Sequence, residues 1–275
     1  MNESGVKRTV GAAIAVVAAL GLMTGCGSDS GDGKADGAKQ ASGAQQSGGA
    51  QRSGGAQGSG GAQGSDKAAS SDPAAKPLSA SALERAALTN GEVKGLEVQK
   101  MTDKEVSEGG SAKTGKAACQ PMAALMGTRY DPAPKASVHR AYATDLTKAK
   151  VGGTGLIRIS SYGPGDAERT VKDLREAVTA CQGGFPAEDG SGEKADVKKV
   201  TPLDAPKTGD EAVSFSLHDA GKEKAVIKFT VVRTGPQVTV FFGVNIADPS
   251  KSEIPAALVD AQVAKVEKAT KGAAS

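Results

Sequence analysis

Apolar positions in the later part of the chain recur at two spacings, and each spacing predicts its own kind of element. Val171, Leu174, Val178 and Cys181 fall on one side of a helix that opens at Pro164-Gly-Asp166 and stops at Gly183-Gly184. Asp166 is placed to cap it and Glu168 to complement its positive end. Val259, Val263 and Val266 mark a last helix opened by Ser250-Lys-Ser-Glu253. Ser81-Ala-Leu-Glu84 has capping-box form and predicts a short helix carrying Leu83, Ala86 and Ala87 that ends near Asn90-Gly91. Cys119-Gln-Pro-Met-Ala-Ala-Leu-Met-Gly127 has a proline in its first turn and a glycine after its last apolar residue, the start and stop of a small helix.

Between these helices the spacing drops to two. Val138, Arg140, Tyr142, Thr144 and Leu146 share one side of a strand, Gly155 to Tyr162 forms the next, and Asp131-Pro-Ala-Pro134 turns the chain before them. Gly95 to Met101 is an earlier strand, Gly109 to Lys116 a loop, and Val197 to Leu203 a weaker strand. Val213, Phe215 and Leu217 alternate with Ser214, Ser216 and His218; turns at Asp219-Ala-Gly221 and Gly235-Pro236 then connect Ala225 to Arg233 and Val238 to Ile246 as an antiparallel meander. Helices and strands in this order predict an α+β fold, a twisted and mainly antiparallel sheet with helices packed on it, over residues 77–271.

The first 76 residues have a different pattern. Lys7 and Arg8 precede an unbroken run of apolar and small residues from Val10 to Met23, the form of a secretory signal over residues 1–25. That run is about 14 residues, short of the ~20 that cross a bilayer as a helix. Met23-Thr24-Gly25-Cys26 resembles the bacterial lipobox, with Met in place of the usual Leu. The resemblance implies that the Cys26 thiol receives a diacylglyceryl group and becomes the first residue of the mature chain; the alternative is an unmodified signal with an incidental cysteine. Residues 26–76 repeat Gly-Ala-Gln every six residues from Gly43 to Gln63 without aliphatic side chains, which excludes a solenoid and predicts a disordered tether. A coil of about 50 residues spans roughly 40 Å, enough to hold a domain away from the membrane.

Loss of Glu3, Lys7 and Arg8 with the leader lowers the formal charge from +3 to +2, which leaves no basic footprint for nucleic acid. Tryptophan is absent and aromatic residues are few, so stacking platforms for bases or sugars are not expected. With Cys26 assigned to lipid, Cys119 and Cys181 remain, and an even number in an exported domain implies a disulfide; two buried free thiols are the alternative. Closing a loop of about 62 residues stabilises a fold by about 4 kcal/mol in the chain-entropy view.

The Cys119 to Gly127 segment, the helix ending in Cys181 and the run Gly209-Asp-Glu-Ala-Val213 leading into paired strands are similar to actinobacterial secreted lipoproteins. More distantly they resemble the extracellular sensor domain of mycobacterial serine/threonine kinases. The resemblance implies an extracytoplasmic, disulfide-bearing α+β domain that binds an envelope ligand.

Catalytic chemistry finds little support. His139 and His218 are the histidines, one within a strand and the other at a strand end beside Asp219, and both are expected as surface or half-buried strand residues. Ser160 or Ser161 would complete a serine–histidine–aspartate set, but no Gly-x-Ser-x-Gly elbow surrounds them. Gly152-Gly-Thr-Gly155 precedes a strand, whereas a phosphate-cradling loop follows one, and Glu188-Asp189 lacks calcium-loop spacing. No enzyme activity, cofactor or metal is expected. The reading is a protein held to the outer face of the cell membrane through lipid on Cys26, whose domain binds a cell-envelope molecule, or which serves as a non-catalytic accessory contacting an envelope protein.

Overall fold

A computed structural model of the chain describes residues 76–144, 152–219, 225–245 and 247–274. Cys26, the leader and the Gly-Ala-Gln repeats lie outside the described residues, as do Leu146, Ile246 and the turn at Ala220-Gly221.

The elements run α1 (Ala80–Ala86), β1 (Leu96–Lys100), α2 (Asp103–Glu108), α3 (Gln120–Ala124), β2 (Ala136–Thr144), β3 (Thr154–Ser161), α4 (Asp166–Ala180), β4 (Val197–Leu203), β5 (Glu211–Asp219), β6 (Val226–Thr234), β7 (Gln237–Val244) and α5 (Ala256–Ala274). Short 3-10 turns at Ala117–Cys119 and Pro249–Lys251 precede α3 and α5. All seven strands form one antiparallel sheet in the order β1-β2-β3-β7-β6-β5-β4. The expected α+β architecture is present, and the β5–β6–β7 meander is part of it.

The pairing of β3 with β7 joins the two halves of the chain and leaves β3 inside the sheet, with β2 on its other side. Helices cover both sheet faces. On one face α1 and α5 bury Val98, Val138, Tyr142, Ile157, Ile159, Val232 and Phe241. On the other, α3 and α4 bury Tyr162, Phe215, Leu217, Phe229, Val231, Val238 and Val240. Each large apolar side chain removed from water stabilises the fold by about 1.5–3 kcal/mol. The rings of Phe215 and Phe229 stack at 5.3 Å, and Phe242 meets Phe229 edge-on at 5.5 Å.

Buried polar side chains fasten the helices to the sheet. Gln262 of α5 accepts from the Leu88 N–H at 2.9 Å and donates to the Ala86 carbonyl at 2.8 Å, so the chain leaving α1 keeps its backbone bonds without solvent. Arg140 of β2 donates to the Leu88 carbonyl at 3.0 Å and to Glu84 at 2.9 Å. On the other side Arg233 of β6 meets Glu168 of α4 at 3.3 Å, Asp210 at 3.2 Å and Glu211 at 2.9 Å.

Several helix boundaries differ from the sequence expectation. Ser79 caps α1 by accepting from the Ala82 N–H at 3.3 Å, two residues before the expected Ser81, and the helix stops at Ala86 instead of running toward Asn90. Glu84 does not close a capping box because Arg140 and Lys100 engage its carboxylate. Gly165, at φ 77°, precedes α4, so Asp166 sits inside the first turn and pairs with Arg169 at 3.2 Å rather than capping. Ser250 belongs to the 3-10 turn, and α5 starts only after Pro255, whose carbonyl accepts from Leu258 and Val259. Helix α2 was not expected at all; a capping box between Thr102 and Glu105 opens it, with bonds of 2.7 and 3.3 Å.

Candidate functional site

Alternation along β3 sends Ile157 and Ile159 into the α1/α5 layer and Arg158 to the opposite face. Arg158 is only 4% exposed, although it carries a full charge. Its guanidinium carbon sits 3.1 Å from the centre of the Tyr130 ring, a cation–π contact in a dry setting. The Tyr130 hydroxyl donates to the Gly127 carbonyl, which fixes the ring at the end of the α3 segment. Burial pushes the Arg158 pKa down to about 10, which still leaves it charged at neutral pH.

A recess of about 30 Å³ opens above this guanidinium. Pro121 and Leu125 of the α3 segment, Leu174 of α4 and Val231 and Val240 of the sheet form its apolar wall. Tyr162, Asp131 and Asp173 also belong to the lining. Neither aspartate comes within the 4.0 Å of an ion pair with Arg158. Among the described residues, three buried side-chain polar atoms lack a hydrogen-bond partner: His139 Nε2, Arg158 Nε and Tyr162 Oη. His139 pairs directly with Arg158 in the β2–β3 ladder, and Tyr162 follows β3, so all three belong to one stretch of the sheet. Polar groups left in this condition are costly, and they mark a place where an incoming group finds bonds ready to form.

The disulfide joins the two helical segments that supply part of this lining. Cys119 leads into α3 and Cys181 ends α4, and the two are joined with their Cα atoms 6.0 Å apart. The bridge expected from the cysteine count is therefore present, and it clamps the two helices that stand over Arg158.

The other residues singled out by sequence are not brought together. His139 is half-buried, as expected, with its pKa lowered by burial and then by Arg140. His218, also half-buried, contacts Thr201 Oγ1 at 3.3 Å and Ser216 Oγ at 3.2 Å. Ser160 instead bonds Ser137 at 2.8 Å, and Ser161 meets Gln237 at 3.4 Å, so neither contacts a histidine. Gly152-Gly-Thr-Gly155 enters β3, and Gly155 lets the backbone pass under the Tyr142 ring. Asp189 bonds the backbone of Ser191 and Glu193 in its own turn, while Glu188 pairs by backbone with Lys113. No group of three or more histidine, cysteine, aspartate or glutamate side chains is arranged to hold a metal among the described residues. Among them, too, no helix is long and apolar enough to cross a membrane.

Arg158 itself escaped sequence reading. Its signal was an arginine flanked by two isoleucines in an apolar strand, but only the packing of helices on both sides of the sheet makes both faces of that strand interior.

No family model matches the chain, and none of the curated proteins does. Solved structures show similarity, among them two from mycobacteria. The extracellular domain of PknH from Mycobacterium tuberculosis is 12% identical, covering 72% of this chain and 99% of that one, with a TM-score of 0.46. An uncharacterized protein from Mycobacterium smegmatis is 13% identical, covering 66% of this chain and 90% of that one, with a TM-score of 0.34.

Proposed function

We propose that the chain is a lipid-anchored extracytoplasmic protein whose folded domain, residues 77–271, recognises a cell-envelope molecule through the recess above Arg158. The observation that carries the reading is the buried Arg158, which lines the recess and has no carboxylate partner among the described residues. A fold that keeps such a charge bears a stability cost, and ligand recognition gives the cost a purpose. The Cys119–Cys181 bridge supports an oxidising compartment, and Met23-Thr24-Gly25-Cys26 supplies the anchor. Two acyl chains on Cys26 hold a protein at the bilayer, whereas one gives only marginal attachment. Residues 26–76 act as the tether, and the role is non-catalytic.

The test has two arms. Intact-mass analysis of membrane-extracted protein should show Cys26 acylated and residues 1–25 removed; an unmodified thiol in a retained leader overturns the anchoring. Native mass spectrometry after incubation with solubilised envelope extract should show a retained molecule on the parent and none on R158Q. Retention by neither protein, or equally by both, overturns the binding role. The recess volume favours a second reading, contact with a projecting group of an envelope protein, and crosslinking to a protein instead of a small molecule would identify it.

A further inference from the structure

The recess is about the volume of one water molecule, which also suits a single carboxylate and excludes a whole metabolite. A ligand therefore inserts one terminal group and keeps the rest of its body outside. Arginine matches a carboxylate, because its planar fork offers two parallel donors. Arg158 makes no ion pair among the described residues, and Tyr162, whose buried hydroxyl is unpartnered, lines the same recess.

The two aspartates narrow the choice. With Asp131 and Asp173 the lining carries two negative charges against one positive. A bare anion reaching Arg158 meets repulsion from both carboxylates, and a bare cation reaching the carboxylates meets Arg158. A group that carries an ammonium and a carboxylate on one carbon answers both. We propose that the recess and its rim receive an α-amino-acid headgroup, its carboxylate entering toward Arg158 and Tyr162 and its ammonium staying outside at the exposed Asp131 and half-buried Asp173. This assignment rests on the ligand-binding reading above and names the chemistry that the site takes, whether as a free amino acid or as the end of a larger envelope molecule.

The test is a titration of the ¹⁵N-labelled full mature chain with glycine, acetate and methylammonium, read at the Arg158 side-chain Nε–Hε resonance, which is assigned by its loss in R158K. Glycine should give a saturable shift at concentrations at least about tenfold below those needed for acetate or methylammonium, one such factor corresponding to 1.4 kcal/mol. R158Q should lose the response at the backbone amides around the recess, while the remainder of its spectrum shows an intact fold. D131N/D173N should bring the glycine response down to that of acetate. Equal responses to glycine and acetate, a response that survives in R158Q, or no saturable response overturn the assignment. If an envelope molecule is retained by the parent and lost from R158Q while glycine has no effect, the headgroup assignment falls and the binding role stands. Glycine dipeptides with a free amino end or a free carboxyl end separate a free amino acid from a chain terminus.

Discussion

His139 stands directly opposite Arg158 in the β2–β3 pairing, which sets a titratable residue and a buried arginine on one sheet face. Burial, and next the charge of Arg140, hold the His139 pKa below its ordinary value; burial and then Lys199 do the same to His218. An unfolded chain binds protons at these rings from about pH 6.5 downward, and the folded chain binds them only at lower pH. Stability is therefore complete above about pH 6.5 and falls as the pH drops toward the folded values. The ion-paired Glu84 and Glu92 lose their contribution only below 4.5, which leaves a window that belongs to the histidines. Thermal unfolding followed from pH 7 to pH 5 should show a falling midpoint, and H139Q/H218Q should flatten that slope. A parent midpoint that does not move across this window would contradict the assignment.

C119S/C181S should lose about 4 kcal/mol of stability, the value of closing a loop of that length. Urea unfolding measures the loss, and adding reductant to the parent should reproduce it. Since the bridge joins the two helices over Arg158, the double variant should also weaken ligand retention under conditions where it remains folded.

G155A should destabilise the domain by about 3 kcal/mol, the upper range for forced overpacking. A Cβ at this position would lie 1.9 Å from the Phe242 carbonyl oxygen and 2.6 Å from the Tyr142 ring. Tyr142 crosses Gly155 to donate to that same carbonyl at 3.0 Å, so the glycine is the gap through which the hydroxyl reaches its partner. Urea midpoints for G155A and for G115A, where an added Cβ meets nothing within 4 Å, compare a closed site with an open one.

R158M should unfold at higher denaturant than the parent, by about 1–2 kcal/mol, because an unpaired buried charge gives way to an apolar side chain of similar length. A group kept for the fold alone would show the reverse. Stability rising while retention of the envelope molecule disappears is the signature of a charge held for recognition.

The sequence was most informative where one element carried its own evidence. The α4 stripe of Val171, Leu174 and Val178 is buried as its spacing requires, and the Val213, Phe215, Leu217 alternation fills the core. Caps were less legible: Ser79 and Ser81 are equally suited, and Arg140, distant in sequence, takes the Glu84 carboxylate from the box. Helix α2 escaped because none of its residues is buried, so no apolar periodicity announces it. The recess was hidden for another reason. Arg158, Tyr130 and Asp173 come from β3, a loop and α4, and only the tertiary fold places them around one recess.

The buried amide of Gln237 has a practical consequence. Oriented so that its nitrogen donates to Thr270 at 2.9 Å and to Thr234 at 2.7 Å, its oxygen accepts from the Leu78 N–H at 3.1 Å. The beginning of the domain and its last helix therefore converge on one side chain, in the layer away from the guanidinium. A protein immobilised on a sensor chip by either end would keep its arginine-bearing side unobstructed, and a brief linker across that junction would let the domain be circularly permuted without cutting a strand.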